Sequence, residues 1–182
     1  TGVVPQQQTI ALSSASFAHV EQEDLYYFDG LSFHKTNLKS KAHSLLSQPA
    51  RLPDIDNLWW AGDKGAFVTF SGSFDNTVAE GYVYEFSLFD YNEHDLSRNF
   101  LWYIDFASGD ITMINNEYVD AYKILYDGSD SAYIFSESPD IEEGLNAENE
   151  YSKTKLRKFS LPLLTFTQTY PTSDIAYIDS IS

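Results

Sequence analysis

Leu101-Trp102-Tyr103-Ile104-Asp105-Phe106-Ala107-Ser108-Gly109-Asp110-Ile111-Thr112-Met113-Ile114 is the stretch whose reading decides the fold. Apolar and aromatic side chains run into a Ser-Gly-Asp turn and then alternate again, the pattern of two antiparallel strands joined by a tight connection. Three other stretches are written the same way. Asp24-Leu25-Tyr26-Tyr27-Phe28-Asp29-Gly30-Leu31-Ser32-Phe33-His34-Lys35 turns at Asp29-Gly30, which supplies the positive φ angles of a two-residue hairpin. Leu58-Trp59-Trp60-Ala61 and the run from Ala66 to Ser71 flank Gly62-Asp63-Lys64-Gly65. Tyr122 to Tyr126 and Ser131 to Ser136 flank Asp127-Gly128-Ser129-Asp130.

Composition agrees with the hairpins. The 182 residues include 13 Tyr, 13 Phe and 3 Trp but only 1 Met, and aromatic side chains favour strands. The predicted class is all-β, with antiparallel blade-like sheets; a β-sandwich is the alternative. The length suits one domain with a sizeable core. Residues 1–8, with Pro5 and a Gln run, read as a polar linker, and 9–182 as a single all-β domain. Between the hairpins, Thr36 to Pro53 reads as a connection with a short strand near Leu45-Leu46. Tyr82 to Phe89 alternates as a lone strand, Lys155 to Leu161 is another, and Pro162 ends it. Leu163 to Tyr170 and Ile175 to Ile181 are the last strand candidates.

The hairpins fall into two types. Trp60 to Ser71 matches Tyr126 to Ser136, with Phe70 aligned to Phe135, and Tyr26 to Ser32 matches Tyr103 to Thr112 with a shorter turn. Such internal repetition marks a β-propeller blade built of four strands. Trp60 to Ser71 followed by Leu101 to Ile114 resembles the repeat of PD40/TolB-like (WD40-like) β-propellers. The matching residues are Trp60, Asp63, Gly65, Phe67, Leu101, Trp102, Ile104, Asp105 and Gly109. The usual Ser-Pro before the turn is missing, and the spacer between the two hairpins is atypical. The scheme covers about two-thirds of the chain and implies about two to three blades, fewer than the ~4 of a closed ring. The chain is then a fragment of a larger propeller, or closes as a sandwich or a homo-oligomer.

Charge and cysteine content narrow the function classes. Against 27 Asp and Glu stand 11 Lys and Arg, a net charge of −16. That balance repels phosphate backbones and anionic membrane surfaces, so neither nucleic acid nor such a surface is an expected partner. Its plain meaning is solubility, and it leaves basic proteins, cationic polymers and calcium as partners. With Cys 0, disulfides, thiol catalysis and Cys-ligated metal sites are excluded. No apolar run reaches the ~18 residues of a membrane span. Thr1 in place of Met indicates a processed or trimmed chain, with any signal peptide or anchor outside it.

Few residues carry a chemical signature. Asp90, Asn92 and Asp95 alternate oxygen ligands as in part of a calcium loop, without the central Gly and closing Glu of the full motif. The acidic run from Glu137 to Glu150 reads as a self-repelling insertion. His19, His34, His43 and His94 form no local zinc pair, and there is no Gly-x-Ser-x-Gly elbow. Asp63 and Asp105 are two carboxylates of the kind glycoside hydrolysis uses, at positions where the repeat uses Asp for turns. Trp59, Trp60 and Tyr26 are the candidate ligand-binding residues, since exposed aromatics stack on sugars or anchor proteins. Adjacent Trp59 and Trp60 point to opposite strand faces.

The expected function is a non-catalytic interaction module of an exported or surface-anchored bacterial protein, extracellular or in the cell envelope. The alternatives are a carbohydrate-binding or glycan-processing domain and the accessory propeller of a larger hydrolase.

Overall fold

The computed structural model describes residues 16–50, 52–70, 100–115, 121–139 and 152–170. Their regular structure is entirely β: β1 (Ser16–Glu21), β2 (Asp24–Phe28), β3 (Phe33–Asn37), β4 (His43–Ser47), β5 (Ile55–Trp60), β6 (Gly65–Phe70), β7 (Leu101–Asp105), β8 (Ile111–Asn115), β9 (Ala121–Tyr126), β10 (Ser131–Pro139), β11 (Ser152–Ser160) and β12 (Thr165–Tyr170). Hydrogen bonding sorts them into three 4-stranded sheets, β1-β2-β3-β4, β5-β6-β7-β8 and β9-β10-β11-β12, each in chain order. Every pairing is antiparallel, so the class is all-β with antiparallel sheets, as read from the hairpins. Each strand lies beside its neighbour in sequence, and the turns between them set the register.

Leu45 and Leu46 lie in β4, and β1 is a strand that the sequence reading did not foresee. β6 pairs directly with β7, Val68 opposite Trp102, so no strand intervenes between them. The segment 82–89, expected as a lone strand, lies outside the described residues, as do 1–8 and 175–181.

The chain forms two compact units, Thr1–Gln48 and Pro49–Ser182. In the first, Tyr26, Phe28 and Phe33 are buried on one face of β1–β4, with Phe28 and Phe33 rings 4.8 Å apart. In the second, one face of β5–β8 packs on one face of β9–β12. Phe67, Leu101 and Tyr103 meet Ile124, Ala132, Ile134 and Phe159, and the Phe67 and Phe159 rings lie edge to face at 5.7 Å. The opposite face of β5–β8 is buried too, through Ala66, Val68, Trp102 and Ile104. Burying a side chain the size of Phe67 is worth roughly 2–3 kcal/mol, so this doubly covered sheet is the main apolar store of its unit.

The three sheets repeat one turn architecture. After each third strand, a backbone N–H donates to a carbonyl in the sheet's first turn: Leu38 to Glu23 at 2.7 Å, Phe106 to Lys64 at 3.0 Å and Leu161 to Asp130 at 2.9 Å. The next turn then passes through a residue of positive φ, Lys41 (64°), Gly109 (77°) or Leu164 (47°). The turns of the first two sheets agree bond for bond. Lys41 N–H donates to Asn37 O at 2.9 Å and Gly109 N–H to Asp105 O at 2.8 Å; Asn37 N–H donates to Ala42 O and Asp105 N–H to Asp110 O. This corrects one equivalence drawn from the sequence. The partner of the Tyr103–Thr112 hairpin is β3–β4, whereas Tyr26–Ser32 joins the second and third strands of its sheet. Lys41 stands where Gly109 does, so the residue that usually betrays such a turn is missing. The other equivalence coincides with structure: β5–β6 and β9–β10 are both first hairpins.

Two glycines differ in why they are needed. A Cβ on Gly65 would lie 2.3 Å from the Ile104 carbonyl oxygen and 2.4 Å from the Tyr103 hydroxyl oxygen. Gly128 has open space around it but a φ of +81°. Gly65→Ala is therefore expected to lower stability by about 3 kcal/mol through overpacking. Gly128→Ala should cost about 1 kcal/mol, and Gly128→Asn less, because Asn tolerates the left-handed region. Urea denaturation followed by Trp fluorescence checks this; equal losses for the two alanine variants would contradict it.

Candidate functional site

Each predicted site residue can be placed except the calcium set, since Asp90, Asn92 and Asp95 lie outside the described residues. Trp59 and Trp60 are half-buried on opposite faces of β5, as strand alternation requires. Trp59 packs on the core of its unit and meets Tyr122 edge-on at 6.4 Å, while Trp60 lies 6.0 Å from Phe106. Both rings thus do packing work. Tyr26 is only 5% exposed, with the Lys35 ammonium 5.5 Å from its ring centre, so little of it is left for a ligand.

The Asp side chains of the hairpins serve their own turns. Asp29 Oδ1 accepts from Leu31 N–H at 2.9 Å and Ser32 N–H at 2.7 Å. Asp105 Oδ1 accepts from Ala107 and Ser108 N–H, both at 2.8 Å, and Asp127 Oδ1 from Ser129 N–H at 2.9 Å. Asn37 Oδ1 repeats the device with Lys39 and Ser40. A short polar side chain that satisfies two amides this way is what makes Asp and Asn turn residues. Asp63 is exposed in the β5–β6 turn. Asp105 is thereby a turn residue rather than half of a catalytic carboxylate pair.

Strand pairing also creates a cluster that local spacing hid. On one face of β1–β4, Tyr27 stacks on His34 with ring centres 5.0 Å apart, and His34 stacks on His43 at 5.2 Å. His34 Nε2–H donates to Asp29 Oδ2 at 2.8 Å, and His43 Nδ1 shares a hydrogen bond with Thr36 Oγ1 at 3.1 Å. His34 faces Leu45 and Thr36 faces His43, so the two imidazoles are diagonal neighbours across β3 and β4. Recognising the β3–β4 hairpin was the one signal that would have found them. A general base must reach the proton it takes. Here Nε2 is engaged by Asp29, and Nδ1 is buried without a partner among the described residues. Asp29 and the ring stack thus fix the His34 imidazole beside its own turn. Among the described residues no three His, Cys, Asp or Glu converge as metal ligands.

In the second unit the turns of β5–β6, β7–β8, β9–β10 and β11–β12 lie together at one end, held by the Phe106–Lys64 and Leu161–Asp130 backbone bonds. The Lys64 ammonium donates to the Asp130 carboxylate and the Ser129 carbonyl, and that hydrogen bond raises its pKa. In the turns of this end Asp63 and Asp110 are exposed, as are Leu163 (69% exposed) and Leu164 (39%). Tyr103, inside, has its phenol pKa pushed up by burial first and then by the charge of Asp105, so it stays neutral. Compared with known proteins, the chain matches no protein-family model, no curated protein and no solved structure.

Asp29 yields a pH test. Partial desolvation raises its pKa, but the Leu31 amide, the His34 ring and the Ser32 amide together outweigh it and hold the carboxyl below its usual range. A carboxyl with a depressed folded pKa contributes stability above the unfolded value, about 4, and loses it as pH falls through the folded value. Asp29→Asn keeps a turn acceptor and removes the charge. It should be less stable than wild type at pH 7, with the gap closing below pH of about 3. A gap constant with pH, in denaturant melts across that range, would contradict the assignment.

Proposed function

We propose that this chain is a non-catalytic binding module, made of PD40/TolB-like (WD40-like) blades, in an exported or surface-anchored bacterial protein. The observation that carries the reading is the turn repeat: one inter-turn backbone bond recurs in all three sheets, through Leu38, Phe106 and Leu161. A repeated sheet with invariant internal bonds and variable turn side chains is a scaffold, and scaffolds of this sort act through the surfaces their turns present. Burial of β5–β8 on both faces favours stacked blades over a two-sheet sandwich, in which each sheet keeps a solvent face.

The polar groups support binding over chemistry. Asp29, Asp105 and Asp127 hold their own turns, and His34 is tied to Asp29. What the turn end of the second unit offers a partner is a pair of exposed leucines, Leu163 and Leu164, on an end whose turns also expose Asp63 and Asp110. That suits a protein surface with apolar and basic groups, in keeping with the net charge of −16.

The labelled chain should bind on arrays of envelope proteins rather than glycans. Leu163→Glu combined with Leu164→Glu should weaken that binding at least about tenfold, equivalent to roughly 1.4 kcal/mol, while Trp60→Ala leaves it intact. Glycan binding lost in Trp59→Ala or Trp60→Ala would move the function to the carbohydrate-binding reading. Turnover of chromogenic glycosides that disappears in Asp63→Asn would overturn the non-catalytic one.

A further inference from the structure

An aspartate followed by glycine can rearrange its own main chain, because a glycine nitrogen meets no side-chain bulk when the neighbouring carboxyl closes on it. The sequence holds two such pairs, Asp29-Gly30 and Asp127-Gly128, and each sits in the turn of a hairpin, β2–β3 and β9–β10. Their glycines are alike. Gly30 and Gly128 lie in open space at positive φ, +98° and +81°. Neither glycine N–H is hydrogen-bonded among the described residues, so both nitrogens can attack.

The two carboxyls differ. Asp29 is half-buried and held at both oxygens, Oδ1 by the Leu31 and Ser32 amides and Oδ2 by His34 Nε2–H at 2.8 Å. His34 belongs to β3 and is itself stacked on Tyr27 and His43, so this bond ties the carboxyl to a side chain outside its turn. Asp127 is exposed, and its bonds all converge on Oδ1: Ser129 N–H at 2.9 Å, Ser129 Oγ–H at 2.8 Å and Ser131 N–H at 3.2 Å. Among the described residues no hydrogen bond holds its Oδ2.

We infer that Asp127-Gly128 is the site at which this chain converts to isoaspartate, and that His34 locks Asp29-Gly30 against the same change. In the first step the Gly128 nitrogen forms a bond to Asp127 Cγ and the Cγ–Oδ2 bond breaks. Oδ2 leaves as water, carrying the amide proton and one proton from solvent. The three donors stay on Oδ1, where charge gathers as the nitrogen adds. Water then opens the imide ring at the main-chain carbonyl, so the chain runs on through Cγ and the α-carboxylate is set free. At Asp29 the same ring closure draws the carboxyl onto the Gly30 nitrogen and away from His34, and that bond must break first. Conversion puts one extra main-chain atom between Asp127 and Gly128. Ser129 and Asp130 of the same turn hold the Lys64 ammonium, and the Asp130 carbonyl takes the Leu161 amide, so the change strikes the clip between the first turns of the two sheets. The inference needs only these turns and is independent of the blade reading.

The test is peptide mapping of the whole chain, kept folded at neutral pH and sampled over weeks, with fragmentation that separates isoaspartyl from aspartyl forms. Asp127 should convert at least about tenfold faster than Asp29, the rate equivalent of one hydrogen bond to a charged group. In urea strong enough to unfold the chain the ratio should fall to near one, since both sites then present the same dipeptide. His34→Phe keeps a ring in the stack but removes the donor, and with the fold verified by circular dichroism it should bring Asp29 up towards the Asp127 rate. Equal rates in the folded wild type overturn the inference. Faster conversion at Asp29 also overturns it, and makes His34 the proton donor to the departing oxygen. A ratio that urea leaves unchanged overturns it too, because the preference then lies in the flanking sequence and not in the turns.

Discussion

Packing in this protein hinges on the central strands β6 and β7. Gly65 to Thr69 and Leu101 to Ile104 are buried whichever face they point to. Phe67 and Tyr103 enter the layer shared with β9–β12, while Val68 and Ile104 enter the layer on the other side. A sheet of this kind has no polar face to give to water and must be covered twice. Its strands are correspondingly apolar throughout, unlike the alternation of a half-buried sheet. Tyr103 fits only because Gly65 lacks a side chain, so the aromatic ring of one strand replaces the missing Cβ of the next.

Polar groups are organised around this constraint. The turns must lie flat at the sheet ends so that layers can approach, and the chain achieves this with local acceptors. Asp29, Asn37, Asp105 and Asp127 each satisfy amides of their own turn. The three bonds from Leu38, Phe106 and Leu161 then tie the end of each third strand to the first turn of its sheet. Asp29, Asp105 and Asp127 are thereby engaged in holding their own turns. This is the physical ground for reading the chain as a surface that binds.

Much of this was legible in residues alone. The hairpins around Asp29-Gly30, Asp63-Lys64-Gly65, Ser108-Gly109 and Gly128-Ser129 are written in turn chemistry, and the turn role of Asp105 follows from it. The β3–β4 hairpin was not legible, because Lys41 adopts the positive φ that a glycine would have announced. With it went the correct repeat frame and the meeting of His34 with His43. Tyr26, Trp59 and Trp60 stand out in the sequence as aromatics, yet only packing says how much of each ring is left to solvent.

The amino-acid sequence by itself determined the all-β class, most of the hairpins and the absence of thiol chemistry, because turn preference, strand alternation and cysteine count act locally. Only the tertiary structure decided which hairpins are equivalent, that β6 joins β7 directly, and which sheet faces are covered. Those depend on pairing across long intervals of chain and on two layers meeting, and no window of sequence carries that information.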